Sequence, residues 1–105
     1  MIFELRTYTA APGRAADFLA LYEELALPLQ KHYLGGMVGC YVTEIGPLNQ
    51  IIHLWRYASL ADREQRRSAL EADPGWHEYR ARSKALGALL QQESKILKPT
   101  RFSPG

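Results

Sequence analysis

Met37-Val38-Gly39-Cys40-Tyr41-Val42-Thr43-Glu44-Ile45 and Gln50-Ile51-Ile52-His53-Leu54-Trp55-Arg56-Tyr57 flank Gly46-Pro47-Leu48-Asn49. Val, Ile, Tyr and Trp suit a pleated strand, while Gly, Pro and Asn supply the dihedral angles of a turn. The stretch therefore predicts an antiparallel hairpin with a four-residue turn. In that register one face carries Gly39, Tyr41, Thr43, Ile45, Ile52 and Leu54. The opposite face carries Val38, Cys40, Val42, Ile51, His53, Trp55 and Tyr57. Neither face is polar enough to be left to water.

Outward from the hairpin, Ile2 to Thr9 has strand composition, and Ala11-Pro12-Gly13 ends it. From Ala15 the apolar positions Phe18, Leu19, Tyr22, Leu25, Ala26 and Leu29 recur at the spacing of one helical face. Pro28 has no N–H and disfavours helical geometry at Leu27, so a kink or restart is expected there, before Gly35-Gly36. Beyond the hairpin, Ser59 with Asp62 three residues on predicts an N-cap and a helix from about Leu60 to Ala72. Asp73-Pro74 opens a third helix, whose expected buried stripe is Trp76, Tyr79, Ser83, Leu86 and Leu90. Ser94 to Lys98 reads as a short last strand.

The order β-α-β-β-α-α-β is that of an α+β, ferredoxin-like domain with a four-stranded antiparallel sheet, and 1–105 reads as one domain. Such a fold has helices on one sheet face only. The second apolar face needs another cover, and a second copy supplies it: a homodimer is expected, with a higher homo-oligomer left open.

Thirteen basic against eleven acidic residues give a net charge of +2, too little for a nucleic-acid or anionic-membrane partner. Cys40 is the only cysteine, which excludes an internal disulfide and a cysteine-rich zinc site. A strand that begins right after Met1 leaves no presequence, and no apolar run reaches the roughly 18 residues of a membrane span. A cytoplasmic protein is expected.

Several motifs in order carry a resemblance: Glu4-Leu5-Arg6-Thr7-Tyr8-Thr9 with Pro12-Gly13, Glu44-Ile45-Gly46-Pro47-Leu48-Asn49-Gln50, His53-Leu54-Trp55 with Tyr57 and Ser59-Leu60, and Asp73-Pro74-Gly75-Trp76 with Tyr79. Over nearly its whole length the chain resembles the NIPSNAP family. The resemblance implies a branch of the dimeric α/β-barrel proteins, in which two ferredoxin-like subunits pack sheet to sheet. It implies no reaction: bacterial members mostly lack an assigned one, and animal relatives are associated with mitochondria and vesicle traffic. The wider superfamily includes haem-dependent enzymes and cofactor-free monooxygenases of polycyclic substrates.

Among single residues, His53 is the one mid-strand group suited to proton exchange near neutral pH, although strand histidines are more often hydrogen-bonded core residues. Arg6 shares a face with Glu4, where it serves either as a clamp for a substrate carboxylate or as half of an intersubunit ion pair. These two are the catalytic candidates. Tyr8, Tyr41, His53, Trp55, Trp76 and Tyr79, with Phe18, are candidates to line an aromatic pocket between sheet and helices, against the plainer reading of core packing. His32, His53 and His77 lack metal-ligand spacing, so neither a metal nor a cofactor is expected. Arg63, Arg66 and Arg67 could grip an anion but read as a solvated helix face, and Cys40 as inert packing. The function read from the sequence is therefore a dimer that binds or converts a small apolar or aromatic molecule. A cofactor-free monooxygenase-like enzyme and a non-catalytic dimeric interaction module are the alternatives.

Overall fold

Four antiparallel strands pair in the order β2-β3-β1-β4, with β1 spanning Ile2–Ala10, β2 Met37–Val42, β3 Gln50–Tyr57 and β4 Leu89–Leu97. The computed structural model describes all of residues 1–105. Three helical units connect the strands: an irregular first one over Ala15–Tyr33, then α3 (Leu60–Glu71) and α4 (Pro74–Leu86). The expected α+β architecture is present.

The central register sets Glu4 opposite Trp55, Arg6 opposite His53 and Tyr8 opposite Ile51. Because side chains alternate across a strand, these residues share the face on which the helices lie. Ile51, His53, Trp55 and Tyr57 are buried there, as are Glu4 and Ala10.

The first helical unit is α1 (Ala15–Leu21), a π turn (Tyr22–Ala26) and α2 (Leu27–Tyr33). The expected break at Leu27 takes that form: the Leu27 N–H donates to the carbonyl of Tyr22, five residues back, just ahead of Pro28, which has no N–H to donate. At the start of α3, Ser59 Oγ accepts from the Asp62 N–H and Asp62 Oδ2 from the Ala58 N–H, each at 3.0 Å. Asp73 caps α4 by accepting from Gly75 N–H at 2.7 Å.

The end of β2, the start of β4 and the place of Cys40 differ from the sequence-based expectation. β2 ends at Val42, not Ile45, and pairs Val42 with Ile51 and Cys40 with His53, two residues away from the register of a 46–49 turn. An even shift keeps every side chain on its predicted face. Val38 is the exception, because the register slips between Met37 and Gly39 and makes it the extra residue of a bulge. β4 begins at Leu89, five residues before Ser94. Gly87 ends α4 with φ +63, so Leu90 falls on the strand, 67% exposed, and not on the helix stripe. Cys40 is exposed on edge strand β2 instead of packed.

The molecule is a slab of 40 × 36 × 18 Å, one sheet and one helical layer thick. On the uncovered face Phe3, Leu5, Ile52 and Leu54 are half-buried by each other alone, and Tyr41 is 54% exposed. No helix is long and apolar enough to cross a membrane.

Gly36 joins the first helical unit to the sheet: its carbonyl accepts from Arg56 N–H at 2.7 Å, and a Cβ there would collide with the Arg56 carbonyl oxygen. Gly36→Ala is expected to cost about 2 kcal/mol or more, because backbone must move. Gly13→Ala, at φ +80 in open space, should cost only about 1 kcal/mol. Urea unfolding of both variants checks the difference.

Candidate functional site

The cap at Asp73 and Pro74 in the first turn start α4 so that Trp76 and Tyr79, three residues apart, both turn toward the sheet. Their rings lie 5.0 Å apart between centroids. Tyr8, on the helix face of β1, brings its ring within 5.6 Å of Phe18 on α1. Between α4 and the β1–β4 side of the sheet these rings line a cleft of about 760 Å³. No helix closes it over β4, whose residues beyond Leu89 are exposed.

Polar groups enter the cleft from several elements. The π turn adds a residue to its helix, and the Tyr22 hydroxyl donates to Gln30 Oε1 across eight residues. Both residues are buried and both line the cleft. Arg6 lines it from β1, held by two bonds: Nε donates to the Tyr8 hydroxyl at 2.9 Å and Nη1 to Glu4 Oε2 at 3.0 Å. Glu4, with no exposed surface, also accepts from Arg63 Nε and Nη2 at 3.1 and 3.0 Å and from Ser94 Oγ at 2.6 Å. The Glu4–Arg6 pair thus lies within one subunit, on the helix face, and not across an interface. Arg67, one turn beyond Arg63, lines the cleft with its Nη1 buried and unpartnered. It lies close enough to the Tyr57 hydroxyl to favour that group's ionisation, though without hydrogen-bond geometry.

The aromatic candidates separate. Tyr8, Trp76 and Tyr79 meet in the cleft with Phe18. Trp55 is wholly buried opposite Glu4, with Nε1 unpartnered. Tyr41 lies on the other face of the sheet, opposite Ile52. His53 sits one side chain behind the cleft, its ring 5.2 Å from Tyr8 and 4.8 Å from Tyr22. The arginine run of α3 divides: Arg66 is exposed as expected, donating to Asp62 on its own helix at 2.9 Å and to the Tyr33 carbonyl at 3.3 Å, whereas Arg63 holds Glu4 and Arg67 lines the cleft. No three His, Cys, Asp or Glu side chains converge as a metal site would need, and the cleft lining has neither His nor Cys.

Residues 3–104 match the family model NIPSNAP. The chain belongs to the NIPSNAP family. It is 36% identical, over 96% of its length, to a NipSnap homolog of Dictyostelium discoideum. It spans less than half the length of the curated NipSnap proteins it matches first. A NIPSNAP family protein of unknown function from Agrobacterium tumefaciens superposes with a TM-score of 0.89 at 41% identity, covering 99% of this chain and 92% of that one. An antibiotic biosynthesis monooxygenase superposes with a TM-score of 0.65 at 13% identity, over 95% of this chain and 99% of that one, which is a likeness of fold alone.

Sequence reading missed the Tyr22–Gln30 pair and the role of Arg67. The only available signal for the pair was Pro28, and nothing in the arginine spacing distinguished an inward Arg67 from a solvated one.

Two buried groups, Glu4 and His53, have ionisation strongly altered by the fold. Burial raises the Glu4 pKa, but hydrogen bonds from Arg63 and Ser94 and the charges of Arg6 and Arg63 outweigh it and lower the value to about 2. Burial, with help from Arg6, lowers His53 from 6.5 to about 4. Both folded values lie below the unfolded ones, so stability falls with pH for two reasons: Glu4 loses the interactions of its charged form, and His53, neutral at pH 7, resists the proton that the unfolded chain takes up. The His53 share goes between pH 6.5 and about 4, and the Glu4 share, on the order of 3 kcal/mol, between pH 4.5 and about 2.

Neither His53 ring nitrogen has a partner. His53→Leu is therefore expected to flatten stability between pH 6.5 and 4 without lowering it at pH 7, as denaturant unfolding across pH will show. Glu4→Gln leaves two guanidinium groups without their buried counter-charge and should cost about 3–5 kcal/mol by the same assay.

Proposed function

We propose that this NIPSNAP protein is a homodimer in which each subunit binds a small, largely apolar or aromatic molecule in the cleft between sheet and helices. The observation that carries the reading is the cleft itself: about 760 Å³, within the roughly 300–1,000 Å³ range of small-molecule sites. Its lining joins the rings of Tyr8, Phe18, Trp76 and Tyr79 to a few fixed polar groups, which is how such sites combine affinity with orientation. A filled interior would have favoured a module that only makes protein contacts.

The dimer is supported by the uncovered sheet face. Phe3 and Leu5 of β1 stand beside Ile52 and Leu54 of β3 with no element above them, and a chain with only 16 of 105 residues buried gains stability from a second copy there. The unpaired Cys40 fits a reducing, cytoplasmic setting.

Leu54→Glu puts a charge at the middle of that face and is expected to halve the mass measured by light scattering. A wild-type protein already monomeric at micromolar concentration would overturn the dimer. Trp76→Ala removes a cleft wall and should weaken binding of polycyclic aromatic probes at least about tenfold in fluorescence titration. Wild type that takes up no such probe to its solubility limit would overturn the cleft reading.

A further inference from the structure

The cleft is more cationic than its aromatic walls require. Arg6, Arg67, Arg80 and Lys84 line it against a single acid, Glu71. The ion pairs of the chain are Glu4 with Arg6 and Arg63, Asp17 with Arg14, Glu64 with Arg63, and Asp62 with Arg66. Arg67, Arg80 and Lys84 therefore carry uncompensated charge into the same space. Overall the chain has a net charge of only +2, so this is a local concentration and not a general property of the surface.

Two of these cations are also prepared as donors. Glu4 and the Tyr8 hydroxyl occupy Nη1 and Nε of Arg6, which fixes the guanidinium plane, and its Nη2 makes no hydrogen bond. The side chain is 17% exposed, enough to be met from the cleft and too little for full hydration. Arg67 is held differently: its Nη1 is buried beside the Tyr57 hydroxyl without an acceptor, while the side chain lines the cleft with no carboxylate paired to it. A buried donor left without an acceptor is costly, and guanidinium N–H groups are best satisfied by a carboxylate.

We propose that the molecule taken up by this cleft is an aromatic acid, its ring body against Trp76 and Tyr79 and its carboxylate between Arg6 Nη2 and the guanidinium of Arg67, which both line the cleft. The inference rests on the small-molecule reading of the cleft and adds the chemical class. Arg80 and Lys84, on successive turns of α4, hold no partner of their own and draw the anion in. Arg6 is here a binding residue, and Glu4 and Tyr8 position it.

The test is a fluorescence titration of the full chain with two probes of one shape, naphthalenecarboxylate and naphthalenemethanol, at low salt. The carboxylate is expected to bind about tenfold tighter or more, the scale of one charge-assisted hydrogen bond. Arg67→Gln should remove most of that preference while leaving the alcohol unchanged, and Arg6→Gln should do the same. Arg67 has no ion pair, so its variant keeps the test decisive if Arg6→Gln unsettles Glu4 and fails to fold. Lys95→Gln, a charge removed from the opposite sheet face, should change neither probe. Equal affinities in the wild type, or a carboxylate preference that survives Arg67→Gln, would overturn the anion subsite and leave the apolar cleft standing. Binding of neither probe would overturn both.

Discussion

Glu4 has no contact with solvent, yet its carboxylate receives donors from three different elements: Arg6 from its own strand, Arg63 from α3 and Ser94 from β4. A charge in that position is tolerable only when its acceptor sites are filled by cations and hydroxyls, and losing the carboxylate leaves both guanidinium groups without their shared counter-charge. The helix that packs on β3 is thus pinned to the far side of the sheet through a single carboxylate. The same carboxylate holds the plane of Arg6, so the fold and the site share one interaction. A hydrophobic residue at position 4 could pack as well, but it would leave Arg6 unaimed and Arg63 without a reason to turn inward.

Local chemistry was legible wherever it acted over a few residues. The limits of β3, the cap at Ser59 with Asp62 and the Asp73-Pro74 restart stand in the structure where the sequence places them, because each depends on dihedral preference and near-neighbour hydrogen bonds. The ends of β2 and β4 were not legible. β2 stops early because its partner register is chosen by the whole sheet, and a bulge at Val38 absorbs the mismatch. β4 starts early because Gly87 adopts a left-handed conformation and closes α4, freeing Leu89 and Leu90 to extend a strand whose Gln-rich composition gives little period-two signal.

The site followed the same division. Trp76 and Tyr79 were recognisable as one face of a helix, and the parity of β1 put Arg6 with Glu4 and Tyr8. Tyr41 was grouped with them on residue type alone, and alternation sends it through the sheet. The charges were the least legible part. Arg63, Arg66 and Arg67 have the spacing of a solvated stripe, but a stripe is solvated only if nothing buried on the facing sheet can accept from it, and Glu4 does. One acid in β1 therefore changed the meaning of Arg63, some sixty residues away.

The π turn shows how a local defect becomes a feature of the cleft. Pro28 cannot continue an α-helical hydrogen-bond ladder, and the chain accommodates it by widening the preceding turn. Tyr22 opens the widened turn, and its hydroxyl donates to Gln30 of α2. The pair then presents a satisfied, rigid polar wall beside Phe18, with the unpartnered His53 sealed behind it. Burial and the charge of Arg6 keep His53 neutral, and with neither ring nitrogen partnered the imidazole is part of the wall's packing, which gives the polar work of the cleft to its arginines.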